Sequence, residues 1–153
     1  MRSHRRSVLK GAIAAGVASI AAALGLRIPR LARAAEWPRD AFDAETLDDA
    51  LRNLYGTRKT VRSPAVKIRA PARVESGAVV PVSVSADLPD VQAVSILIDK
   101  NVPPLAAHVN LSGGAAFFFV NVKMASTSDV LAVVNSGGKL HIARHNVDVG
   151  VGA

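Results

Sequence analysis

Between Val79 and Asp99 apolar and polar residues alternate with a period of two on both sides of a short break. Val80, Val82 and Val84 fall on one face, with Pro81, Ser83 and Ser85 on the other; after Asp87-Leu88-Pro89-Asp90, the residues Val94, Ile96 and Ile98 repeat the pattern. A period of two that survives a turn predicts antiparallel strands contributing to one core. Pro81 cannot donate to a ladder and belongs at an edge or a bulge. Serines at alternate positions suit a face that meets water.

Similar runs follow. A short strand is predicted at Val66–Arg69, a weak one from Leu105 to Leu111, and a strong one from Phe117 to Met124. In the strong strand Phe118, Val120, Val122 and Met124 face one way, and Phe117, Phe119, Asn121 and Lys123 the other. Val130–Asn135, the turn Ser136-Gly137-Gly138-Lys139 and Leu140–Arg144 read as two strands and their connection, and Val147–Val151 reads as the last strand. The apolar phase is even at Leu140 and Ile142 and odd from Val147, so a bulge or bend is expected within Ala143–Asn146. About seven short antiparallel strands with frequent turn signals predict an all-β, immunoglobulin-like sandwich.

Helical spacing occurs at one place outside the N-terminal region. Leu47, Ala50, Leu51 and Leu54 recur at three and four residues, Thr46 can cap with Asp49 three positions on, and Gly56 supplies a stop. The expected helix is 46–55, after a polar leader over 35–45. An isolated helix of that length is marginal, which favours packing on its own sheet over use as a partner-binding element.

Residues 1–34 are of a different kind. His4-Arg5-Arg6-Ser7-Val8-Leu9-Lys10 leads into an uncharged small-residue run from Gly11 to Leu26, and Ala32-Arg33-Ala34 closes the segment. That order describes an export signal, with cleavage expected after Ala34; the paired Arg5 and Arg6 resemble a twin-arginine motif. The apolar run is short for a spanning helix, which wants roughly 20 residues. The expectation is a periplasmic protein with no membrane association after cleavage.

The signal also accounts for the charge. The chain has a formal net charge of +7, from 19 basic and 12 acidic residues. Seven of the basic residues lie in 1–34, which hold no acid, so 35–153 balances at twelve and twelve. With no basic block and a single Trp and Tyr, nucleic-acid binding has little support. The absence of cysteine excludes disulfides, thiolate metal sites and thiol nucleophiles within these residues.

Candidate chemistry is thin. His141 and His145 would share a face of a helix, but on a strand and bend their spacing gives no shared metal geometry; His108 stands alone in a weak strand. Lys67, Arg69 and Arg73 could form an anion-binding strip, although charged strand faces commonly serve to discourage edge pairing. No catalytic set, metal site or cofactor site is expected. The exception to blandness is Phe117 and Phe119, which put apolar surface on the wet side of their strand. Either a partner covers them, or the Pro103-Pro104 loop or the helix does.

Several segments together resemble the SoxY family of periplasmic sulfur carriers in thiosulfate oxidation. They are Asp48-Asp49-Ala50-Leu51 to Leu54-Tyr55-Gly56, Glu75-Ser76-Gly77-Ala78-Val79-Val80-Pro81-Val82, Ala86-Asp87-Leu88-Pro89, and Lys100-Asn101-Val102-Pro103-Pro104-Leu105. Val122-Lys123-Met124-Ala125-Ser126-Thr127-Ser128-Asp129-Val130, Gly138-Lys139-Leu140 and Val147-Asp148-Val149 complete the set. The resemblance implies an immunoglobulin-like sandwich, twin-arginine export and a heterodimer with a SoxZ partner. It also implies a mobile Gly-Gly-Cys-Gly-Gly arm whose cysteine carries sulfur; here Gly152 and Ala153 fall at the two positions just before that cysteine. Two functions follow as expectations: a carrier subunit whose cysteine is absent from this sequence, or a non-carrying binding or scaffold protein of a periplasmic oxidation system. Neither is an enzyme.

Overall fold

The structure, a computed structural model, describes residues 37–150. Helices α1 (Arg39–Phe42) and α2 (Leu47–Tyr55) precede nine strands: β1 (Thr60–Arg62), β2 (Val66–Arg69), β3 (Arg73–Val74), β4 (Val80–Ala86), β5 (Val91–Ile98), β6 (Leu105–Asn110), β7 (Ala116–Val122), β8 (Ser128–Ser136) and β9 (Lys139–Val149). They form two sheets. The large one runs β1-β9-β8-β5-β6, with β3 also paired to β9, and the small one runs β2-β4-β7. The predicted all-β sandwich with its N-terminal helix is the observed architecture, with the correction that β1 and β3 lie parallel to β9.

The period of two at Val80–Val84 and Val94–Ile98 does build one core, but the strands carrying it do not pair. β4 belongs to the small sheet and β5 to the large one, so the Asp87–Asp90 break is a crossing between sheets. Between the sheets Val80, Val82, Val84, Val94, Ile96 and Ile98 meet Val122, Val130, Val134 and Val147.

The large sheet is also buried on its outer face, where α1 and α2 pack Ala41, Ala50 and Leu51 against Leu97, Leu105, Leu131, Val133, Leu140 and Ile142. This second core corrects two expectations. Part of the predicted polar leader is helical, with Ala41 buried. The phase change in the last strand needs no bulge: β9 pairs with β8 in unbroken register from Ser136↔Lys139 to Ser128↔Val147. Leu140 and Ile142 face the helices whereas Val147 faces the other sheet, so apolar residues of opposite phase are buried on opposite sides of one straight strand.

Local chemistry explains the element ends. The Thr46 hydroxyl accepts the Asp49 N–H at 3.1 Å at the start of α2, and Gly56 ends it at φ +71°. Gly137 and Gly138, both at positive φ, make the two-residue β8–β9 turn. In β6 the register against β5 shifts beside Ile96 and Leu97, which lets Leu105 face the helices and Ala107 the inter-sheet core.

Candidate functional site

The small sheet carries on its outer face the side chains opposite to its apolar set. Its register places Lys67, Ser85 and Phe117 in one cross-strand row, and Arg69, Ser83 and Phe119 in the next; Pro81 lies opposite Asn121. Phe117 is 61% exposed and Phe119 57%. Neither the Pro103-Pro104 loop nor the helix buries them: both rings stay more than half exposed, and α2 lies on the far side of the large sheet. The sequence of β2, β4 and β7 contains no acid, and Lys67 and Arg69 are exposed without an ion pair among the described residues. The face is apolar at one edge and basic at the other.

Arg73 does not join Lys67 and Arg69, so the possible anion strip is not assembled. It sits in β3 on the large sheet, where its Nε lies 3.4 Å from an Asp148 carboxylate oxygen. There it belongs to a cluster that secures the end of β9. The Thr127 hydroxyl donates to Asp148 Oδ1 at 2.9 Å and accepts the Val149 N–H at 2.9 Å. The Asp148 and Gly150 N–H groups donate to Ala72 and Val74 carbonyls. Beside them Gly77 has no room for a side chain: a Cβ there would overlap the Met124 carbonyl oxygen, while the Met124 N–H donates to the Gly77 carbonyl at 2.8 Å. The strand is thus held through Gly150. Gly152 and Ala153, like Arg5 and Arg6, lie outside the described residues.

The histidines are arranged differently from expectation in one case. His141 and His145 stand on the same side of β9, separated by four strand residues, about 13 Å. His141 Nδ1 and His145 Nε2 are buried with no hydrogen-bond partner among the described residues. No group of three or more His, Asp or Glu among those residues is placed to hold a metal. His108, by contrast, is not alone. Its Nδ1 lies 2.8 Å from the Ser95 hydroxyl, which lies 2.6 Å from the Tyr55 hydroxyl, and the two rings meet edge to face at 6.0 Å.

This cluster joins the last residue of α2 to β5 and β6. Burial pushes the Tyr55 phenol up, opposed by its bond to Ser95, and holds the His108 imidazole below its usual value, opposed by the Asn110 side chain. Both shifts favour neutral groups. Ser95 has no exposed surface, so it can bridge its neighbours but cannot reach a substrate. Sequence reasoning missed the arrangement because Ser95 sits at a position that simple alternation assigns to water. A serine inside Val94-Ser95-Ile96-Leu97-Ile98 is nevertheless a signal, since a polar group in an apolar run needs a partner if both faces are covered.

Comparison with known proteins adds the following. A family model described as Sulfur oxidation protein SoxY matches residues 51–153. Among solved structures, the sulfur carrier protein SoxY from Chlorobium limicola f thiosulfatophilum is 34% identical, with 74% of this chain and 99% of that chain covered at a TM-score of 0.64. Superoxide reductase (neelaredoxin) from Ignicoccus hospitalis is 17% identical over 56% of this chain and 80% of its own, at a TM-score of 0.50; a variant of the same reductase matches alike over 79% of its length. At that identity the likeness is one of fold alone. No curated protein matches in sequence.

Proposed function

Because the chain belongs to the SoxY family of sulfur oxidation proteins, we propose that it acts as the SoxY-type subunit of a periplasmic thiosulfate-oxidation carrier complex and pairs with a SoxZ-like protein. The observation that carries the pairing is the bare outer face of the small sheet. Phe117 and Phe119 are more than half exposed on a strand whose other face turns to the core, and no element among the described residues lies over them. Full burial of each ring against a partner contributes about 1.5 to 3 kcal/mol, enough together for a hundredfold or more in affinity. Phe119→Asp, which removes one of the two rings, should therefore weaken binding of purified SoxZ by about ten- to hundredfold, with an unchanged thermal melt. Binding equal to the parent's would remove Phe119 from the interface.

The subunit's role is binding and delivery, with no catalysis of its own. Taking up sulfur requires a thiolate, and the 153 residues contain no cysteine. The chain as written therefore stays at its own mass when incubated with thiosulfate, the oxidising cytochrome and SoxZ; a covalent gain of sulfur would overturn this. That composition also favours a second reading, a non-carrying binding or scaffold subunit. Reading the coding sequence past Ala153 separates the two, since a frame continuing into Gly-Cys-Gly-Gly supports the carrier.

Export through the twin-arginine route rests on Arg5 and Arg6, and on cleavage after Ala34. N-terminal sequencing of periplasmic protein should begin at Ala35. Undiminished export of an Arg5→Lys, Arg6→Lys double variant by the same route counts against that assignment.

A further inference from the structure

The five strands at sheet edges are finished unequally. β1 and β3 are three and two residues long. β2 carries Lys67 and Arg69 between Pro64 and Pro71, and β6 follows Pro103-Pro104 and contains a register shift. Shortness, charge, proline and bulges are the devices by which edges avoid pairing. β7, Ala-Phe-Phe-Phe-Val-Asn-Val, has none of them over seven residues.

Its free edge presents bonding groups. The Phe117 N–H turns to the Ala115 carbonyl at 2.9 Å, and just past the strand the Lys123 carbonyl accepts from Asn101 Nδ2 at 2.6 Å. Both odd-numbered residues thus direct backbone groups away from β4. By the alternation of an antiparallel pair, Phe119 and Asn121 between them also point N–H and C=O outward, where no described residue bonds them. The core is open along the same line: inward-facing Phe118 and Val120 are half-buried, whereas Val82 and Val84 of β4 are 0% and 1% exposed.

We propose that β7 is an augmentation site, completed by an extended strand of the partner chain that adds to the small sheet beside Phe119 and Asn121. This rests on the SoxZ-like pairing proposed above and specifies its geometry. Main-chain bonds supply the attachment, and alternate side chains the selectivity. The incoming strand needs apolar residues on the side that closes over Phe118 and Val120. On the outer side it needs apolar residues beside Phe117 and Phe119 and an acid near Lys123, which has no ion pair among the described residues; Lys67 and Arg69 stand on β2, at the other edge of the sheet.

Asn121→Pro tests the edge while keeping both phenylalanines. It deletes an outward N–H that β4 does not use, and edge strands tolerate proline at such positions. Binding of purified SoxZ from the same organism should weaken at least tenfold with the far-UV dichroism unchanged. Hydrogen exchange on the parent gives an independent readout that holds even where the variant does not fold: SoxZ should slow the Phe119 and Asn121 amides at least tenfold. Undiminished binding by a folded Asn121→Pro, or unchanged exchange at both amides, overturns the strand addition; if Phe119→Asp still loses binding, the partner docks on the face alone. A parent that does not bind SoxZ overturns both this inference and the pairing on which it rests.

Discussion

On the outer face of the large sheet, Leu97, Leu131 and Val133 are 0–2% exposed because α1 and α2 lie over them; on the outer face of the small sheet, Phe117 and Phe119 are more than half exposed. Both faces belong to one sandwich and carry large apolar side chains. The difference is where their cover comes from. The large sheet is closed by its own chain, through a helix with a hydroxyl cap and a glycine stop, and the Tyr55–Ser95–His108 cluster fixes the far end of that helix to β5 and β6. Among the described residues no element lies over the outer face of the small sheet. Apolar area buried within the chain contributes to folding, whereas apolar area left bare is available for association.

The comparison breaks most sharply under matched truncations. Leu51→Ala removes a side chain that is 6% exposed between α2 and the large sheet, and should destabilise the domain by about 2 to 5 kcal/mol. Phe119→Ala removes a larger side chain from the bare face and should change the isolated domain by no more than about 0.5 kcal/mol. Urea denaturation of both variants without partner measures the contrast. A loss at Phe119 as large as that at Leu51 would mean that the exposed ring supports the fold, and its assignment to an interface would fail.

The same contrast explains what could be read from the sequence. The small sheet was legible because each strand has one wet face: Val80, Val82 and Val84 alternate cleanly with Pro81, Ser83 and Ser85, and Phe117 and Phe119 stand out as apolar residues in the wrong phase. The α2 boundaries were legible because the cap and the stop are local chemistry. The large sheet was harder, since burial on both faces erases the alternation. Hence alternation alone puts Ser95 on a wet face, and the opposite phases of Ile142 and Val147 point to a bulge or bend that the straight strand does not contain. Pairing was hidden for a further reason. β1 and β3 join β9 from roughly 80 residues away, and three- and two-residue segments such as Thr60–Arg62 carry no period from which to infer it.

Ser95→Ala sharpens the account of how the helix is fastened. The substitution leaves the Tyr55 hydroxyl and His108 Nδ1 without their shared partner in a part-buried site, at a cost of about 1 to 3 kcal/mol. Thermal melting should show the loss, and amide exchange in α2 should accelerate more than exchange in β4 of the small sheet. Uniform acceleration in both would indicate that the cluster supports the whole sandwich rather than the helical cover alone.

The smallest expected effect is the dependence of that cover on pH. Burial favours neutral His108 in the folded domain, so its folded value lies below the ordinary 6.5. In the interval between the two values the unfolded chain binds more protons than the folded one, and stability falls as pH drops from about 7 through 6.5 toward the folded value. Tyr55 has the opposite sign of shift and the mirror consequence: its folded value lies above 10.0, so unfolded chains ionise first and stability falls as pH rises through 10.0. His108→Gln should flatten the decline in melting temperature between pH 7.5 and 5.5, and Tyr55→Phe should flatten the decline above pH 10, each relative to the parent. Phe117→Ala and Phe119→Ala, on the uncovered sheet, should leave both limbs unchanged. Parallel curves for His108→Gln and the parent would show that the imidazole protonates without disturbing its bond to Ser95, leaving the helical cover insensitive to acid at that point.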